Sequence, residues 1–228
     1  MSMSASEAER LFEMGKAGDA ELLDRAGHAW PADQEALRPS DAEVARYARI
    51  SAYRSEQGLA SEWQARHVAA ASLTGNLRSL CLSLQPAFFM LVSRKHYRGA
   101  HAVLDAMGAI AGACSVDGPP EAALVDRILA ERRAYLYRIE ERWEESIVWY
   151  QRALDLCDRG TRSFAKVRGG LALAKWLAGG PVEDAVAEFK SLVELSQPWR
   201  NDVFEAATSN LAAARSGNHT ASVPFDLV

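Results

Sequence analysis

The sequence predicts an all-α protein, a right-handed solenoid of stacked antiparallel helical hairpins with about ten helices. Three observations point there. Alanine, leucine, arginine and glutamate dominate while valine, isoleucine and threonine are comparatively sparse, and unbranched side chains lose the least freedom in a helix. Glycine and proline punctuate the chain at helical lengths, with almost no alternating strand pattern. A local pattern also recurs: a bulky apolar residue, a small residue three positions on, then another bulky residue four further. It reads Tyr97–Ala100–Leu104, Trp143–Ser146–Tyr150 and Val182–Ala185–Phe189, with starts 46 and 39 residues apart. Drifting spacing around a preserved pattern is the mark of a degenerate repeat array.

The elements follow in order. A first helix is expected over Ser6–Lys16, and a short second one from the cap Asp19 to about Gly27. Trp30–Pro39 holds two prolines and closes an N-terminal helical cap, residues 1–39. The repeat domain, 40–216, opens at Ser40 or Asp41 with Val44, Tyr47, Ala48, Ile50 and Tyr53 on one stripe, and Gly58 breaks that helix. Ser61–Leu73 follows, then a Gly75–Asn76 turn and the apolar helix Leu77–Ser93, which Pro86 should kink or restart. Further helices are expected over His96–Ala113, Glu121–Ile139, Trp143–Cys157, Arg162–Leu177, Val182–Leu195 and Asp202–Ser216. Gly169 and Gly170 lie inside one of these, each costing about 1 kcal/mol relative to alanine, so they should mark a close helix contact or a kink. The tail, 217–228, is polar and expected to be loose.

Composition narrows the function classes. The 228-residue chain carries a net charge of −4, against the basic excess of a general nucleic-acid binder. Cys81, Cys114 and Cys157 form no Cys-x-x-Cys pair, so reduced thiols in a reducing compartment are expected. No window resembles a secretory leader or a membrane span, and the reading is a cytoplasmic protein. The five histidines are scattered, without a metal-ligand spacing, and no nucleophile elbow or phosphate-binding glycine loop is present. No catalytic residue, metal site or cofactor is therefore expected.

Within Ala130–Arg159, Ala134, Tyr137, Trp143, Ser146, Tyr150 and Ala153 place small and aromatic residues in the order that resembles a tetratricopeptide repeat. Asp158 stands where that family usually has proline. Weaker copies cover about residues 77–113 and 162–196; Met107 and Leu192 occupy positions where the family has a small residue. The resemblance implies a concave groove lined by the first helix of each hairpin. Glu131, Tyr135 and Arg138 fall on that line, with Gln85 and Phe89 one repeat earlier and Lys166 one later. It implies a scaffold that binds another protein or a peptide there, with aromatic anchors and charged clamps. The alternative is a regulatory or sensor subunit with a helical pocket for a small ligand or signal peptide, lined in part by the apolar stretch from Pro86.

Overall fold

The computed structural model describes residues 41–54, 60–114, 119–198 and 202–225, together with residue 37. The two N-terminal helices and the 39–40 boundary expected from the sequence lie outside these residues. All the regular structure described is helical: nine α-helices and one short 3-10 turn, with no strand. They are α1 Asp41–Arg54, α2 Ala60–Ser72, α3 Leu77–Ser93, α4 Tyr97–Cys114, α5 Pro119–Ile139, α6 Trp143–Asp155, α7 Arg162–Leu177, α8 Val182–Ser196 and α9 Asp202–Arg215, then His219–Ala221. No described helix is long and apolar enough to cross a membrane. The chain forms two compact units, residues 1–118 and 119–228.

Single side chains set the helix starts. Asn76 accepts the Ser79 N–H at 2.8 Å to cap α3, and Thr161 accepts the Phe164 N–H at 3.2 Å to cap α7. Each satisfies one of the donors that a first turn leaves open. Three hairpin turns share one device. After α3, Lys95 takes φ 59° and the His96 N–H reaches back to Leu91 O at 2.8 Å. After α5, Glu141 takes φ 59° and the Arg142 N–H reaches Tyr137 O at 2.9 Å. After α7, Gly179 takes φ 91° and the Gly180 N–H reaches Lys175 O at 3.0 Å. A left-handed residue with a six-residue reach-back is the Schellman closure, which satisfies otherwise open carbonyls. Glycine is free there, but Lys95 and Glu141 hold it at about 1–2 kcal/mol each. The same turn thus joins three successive helix pairs.

In the first unit α1 packs on α2, α2 on α3 and α3 on α4. Ala100, Leu104 and Met107 of α4 are fully buried, as are Cys81 and Phe88 of α3. Pro86 neither ends nor restarts α3. It has no N–H to give. Close by, Gln64 of α2 donates Nε2 to the Ser83 carbonyl at 2.6 Å and ties α2 to α3. His67, buried on α2, has its pKa lowered to about 4, first by burial and then by Arg49 and Arg46, and stays neutral.

In the second unit each helix from α5 to α9 packs on the next; α7 also touches α5 and α9. One core joins Trp176, Phe189, Leu192, Val203 and Phe225; another joins Ala130, Ala134, Tyr150, Ala153 and Leu171. Small residues let the helices close. Ser146 Oγ donates to the Ala134 carbonyl at 2.9 Å across the α5–α6 hairpin. Gly169 and Gly170 mark a close contact: a Cβ at Gly170 would lie 2.5 Å from the Tyr150 ring, and one at Gly169 2.5 Å from Phe225. Tyr150 is fully buried and has no room to yield. Gly170→Ala is therefore expected to lower stability by up to about 2 kcal/mol in urea denaturation, because overpacking of about 1–3 kcal/mol is only partly offset by the helix-propensity gain of about 1. An unchanged or raised midpoint would show that the α6–α7 contact is looser than drawn.

The C-terminal segment was expected to be loose. It is docked as far as Phe225, which is fully buried. Apolar anchors at Val223 and Phe225 outweigh the polar composition around them.

Candidate functional site

Two places in the second unit bear on function. The first gathers four of the residues the sequence singled out. Glu131 lies on α5 one turn after Arg127 and beside Arg132, and α7 brings Lys166 to it from 35 positions along the chain. Its carboxylate is 3.1 Å from Arg132 Nη1, 3.2 Å from Lys166 Nζ and 3.6 Å from Arg127 Nη1. Burial alone would raise its pKa. Arg132, Lys166 and Arg127 outweigh that and hold the carboxyl below its ordinary value. One turn on, the Arg138 guanidinium sits 5.3 Å from the centre of the Tyr135 ring.

The resemblance implied that these residues line a groove. In the structure Glu131, Tyr135 and Arg138 are 3%, 5% and 8% exposed, and Lys166 is spent on Glu131. The Glu131–Lys166 pair braces α5 against α7. Arg133, also on α5, lies 5.3 Å from the Trp149 ring centre. Cys157, half-buried nearby, has its thiol pushed up by burial and stays protonated. Gln85 and Phe89 belong to the first unit, on α3, both partly buried; Phe89 packs edge-to-face on Phe88 at 5.2 Å.

The second place is a cleft of about 730 Å³ between α6, α7, α8 and the turn joining the last two. Ile147 and Trp176 supply apolar wall; Arg168, Lys175, Asp184 and Glu188 supply charge of both signs. The turn shapes one end. A Cβ at Gly180 would meet the Lys175 carbonyl at 2.7 Å, so only glycine lets the chain fold back this tightly. Arg168 of α7 donates to Glu188 of α8 at 2.6 Å and ties the two walls. Lys175 and Asp184 are exposed. None of these residues stood out in the sequence. The signal was Gly179–Gly180–Pro181, which reads as punctuation but also builds the end of a recess.

Among the described residues no three histidine, cysteine or carboxylate side chains gather as a metal site would require. A cleft of this size with mixed walls can hold a peptide segment or a small molecule through shape and a few charge-assisted hydrogen bonds. No family model matches this chain, and no curated protein matches it in sequence.

Proposed function

We propose that this protein is a partner-binding module: a right-handed, tetratricopeptide-like array of helical hairpins that acts in the cytoplasm by binding another protein rather than by catalysis. The observation that carries the reading is the repeated hairpin closure. The same left-handed turn joins α3 to α4, α5 to α6 and α7 to α8, and helices pack in chain order within each unit. The residues of the repeat pattern do packing work at those joints: Ala134, Ser146, Tyr150 and Ala153 are all fully buried. A hairpin of this kind cannot cover its own apolar face, so neighbours stack and leave a long surface for a partner.

Because Glu131, Tyr135 and Arg138 are enclosed, the docking place shifts to the cleft beside Trp176. A partner segment laid there would set an apolar side chain against Ile147 and meet Lys175 or Asp184 at the rim. The test is a photo-activatable residue placed at Lys175 in the full chain, with the same residue at exposed Gln151 of α6 as control. A partner adduct from position 175 and none from 151 is expected. Equal labelling from both would remove the cleft assignment.

One observation favours a second reading. The volume, about 730 Å³, lies within the range of small-molecule sites, roughly 300–1,000 Å³. A sensor subunit would then be stabilised by its ligand, by about 2.7 kcal/mol at a hundredfold excess over Kd. A rise in Tm with a metabolite fraction, lost when Asp184 and Lys175 are both replaced by alanine, would select this reading over protein binding.

A further inference from the structure

The C-terminal segment of the second unit is held the way a bound peptide is held. After α9 the chain turns at Gly217, passes through His219–Ala221 and is extended at Ser222, with φ −69° and ψ 143°. Asn210, fully buried on α9, meets Val223 with both ends of its amide. Its Nδ2 donates to the Val223 carbonyl at 2.7 Å, and the Val223 N–H donates to its Oδ1 at 2.8 Å. This pair reads backbone alone and accepts any residue that fits. Pro224 follows; it has no N–H to satisfy and its φ is fixed.

Selectivity comes two residues after the clamp. The Phe225 ring stacks on Phe189, with centroids 6.3 Å apart and planes 15° from parallel. Its other contact is Gly169, where a Cβ would come within 2.5 Å of the ring, so the absence of a side chain makes the space. His219 packs edge-to-face on Trp176 at 4.5 Å and anchors the near end. Main-chain hydrogen bonds combined with pockets for alternate side chains are how extended peptides are recognised.

We propose that this seat is a peptide-binding site in its own right, which takes a partner's extended segment carrying an aliphatic residue, proline and phenylalanine in that order. The chain's own Val223–Phe225 is its resident competitor. The seat meets the cleft described above at Trp176, but its clamp and aromatic pocket, Asn210, Phe189 and Gly169, do not line that cleft. The tail occupies it because the short link from α9 gives it an effective concentration in the millimolar range. A partner segment prevails when it binds more tightly, or when it is itself tethered by a second contact.

The probe is a fluorescein-labelled peptide with the sequence of residues 220–226, read by fluorescence polarisation against the full-length chain. Phe225→Ala in the chain empties the aromatic pocket, and this variant is expected to bind the peptide about 10- to 100-fold more tightly than the wild type, whose own tail competes. Adding Asn210→Ala, or replacing the peptide's phenylalanine by alanine, is expected to abolish binding. A folded Phe225→Ala chain that binds no tighter than wild type overturns the proposal. So does a wild-type dimer exchanging tails with no uptake of free peptide. Should Phe225→Ala prove unfolded by circular dichroism, the wild-type chain is titrated with unlabelled peptide to millimolar concentration and the Val223 amide followed by NMR. Movement of that resonance to the position of a released tail supports the site; no movement overturns it.

Discussion

Replacing Glu131 by glutamine is expected to lower the unfolding free energy by about 3–5 kcal/mol, the usual cost of removing one partner from a buried ion pair. The size follows from the surroundings. Arg127, Arg132 and Lys166 all face one carboxylate, and their side chains are 15%, 10% and 15% exposed. Glutamine keeps the shape and an acceptor oxygen but leaves those cations without their counter-charge. The cost should appear as a shift of the urea midpoint with little change of slope. The exposed pair Arg142–Glu145, 2.6 Å apart, is the control; solvent screens it, and Glu145→Gln, which leaves Arg142 over Tyr137, should move the midpoint little. The same cluster sets an acid limit. The Glu131 carboxyl is held below its ordinary 4.5 in the folded chain, despite the opposing effect of burial. Its contribution is therefore complete above pH 4.5 and is lost as pH falls through the lower folded value. Wild type should lose stability below pH 4.5 more steeply than Glu131→Gln. Parallel acid profiles would mean that the cluster does not hold α5 to α7.

The helices were legible in the sequence because their signals are local. The turns read at Gly75–Asn76 and before Arg162 are where α3 and α7 start, and there Asn76 and Thr161 cap the helices with side chains that reach three residues along the chain. The glycine pair at Gly169 and Gly170 announced a close approach, and Tyr150 and Phe225 make it. What escaped was exposure. Glu131, Tyr135 and Arg138 recur along one stripe of α5, and a polar stripe reads as solvated. Glu131 is buried with Lys166, distant in sequence, as one of its counter-charges. Pro86 lies inside a continuous α3, and the bond that Gln64 of α2 makes to the Ser83 carbonyl is equally invisible to local sequence. Asn210 sits in an alanine-rich helix and looks like a surface residue, yet both ends of its amide are engaged by Val223. In each case the deciding partner is set by packing, and no local period encodes it.

Phe189→Ala is expected to cost about 3–5 kcal/mol, as for other fully buried aromatic side chains cut back to alanine. The ring is the joint of the larger core in the second unit. It meets Trp176 edge-to-face at 6.0 Å and stacks on Phe225 at 6.3 Å. Truncation forfeits the transfer energy of the ring and leaves a cavity whose walls cannot all collapse. Gly169 already gives Phe225 its space, Trp176 is fixed by α7, and only the tail can move inward. Part of the loss should therefore reappear as weakened docking of residues 223–225. A double-mutant cycle isolates that part. Phe189→Ala and Phe225→Ala remove opposite sides of one contact, so the double variant should lose less than the sum of the singles by about 0.5–3 kcal/mol. Phe189→Leu should recover some of the packing without the ring stack. If the two alanine substitutions prove additive in urea denaturation, the tail is held by Asn210 and Gly169 without help from α8.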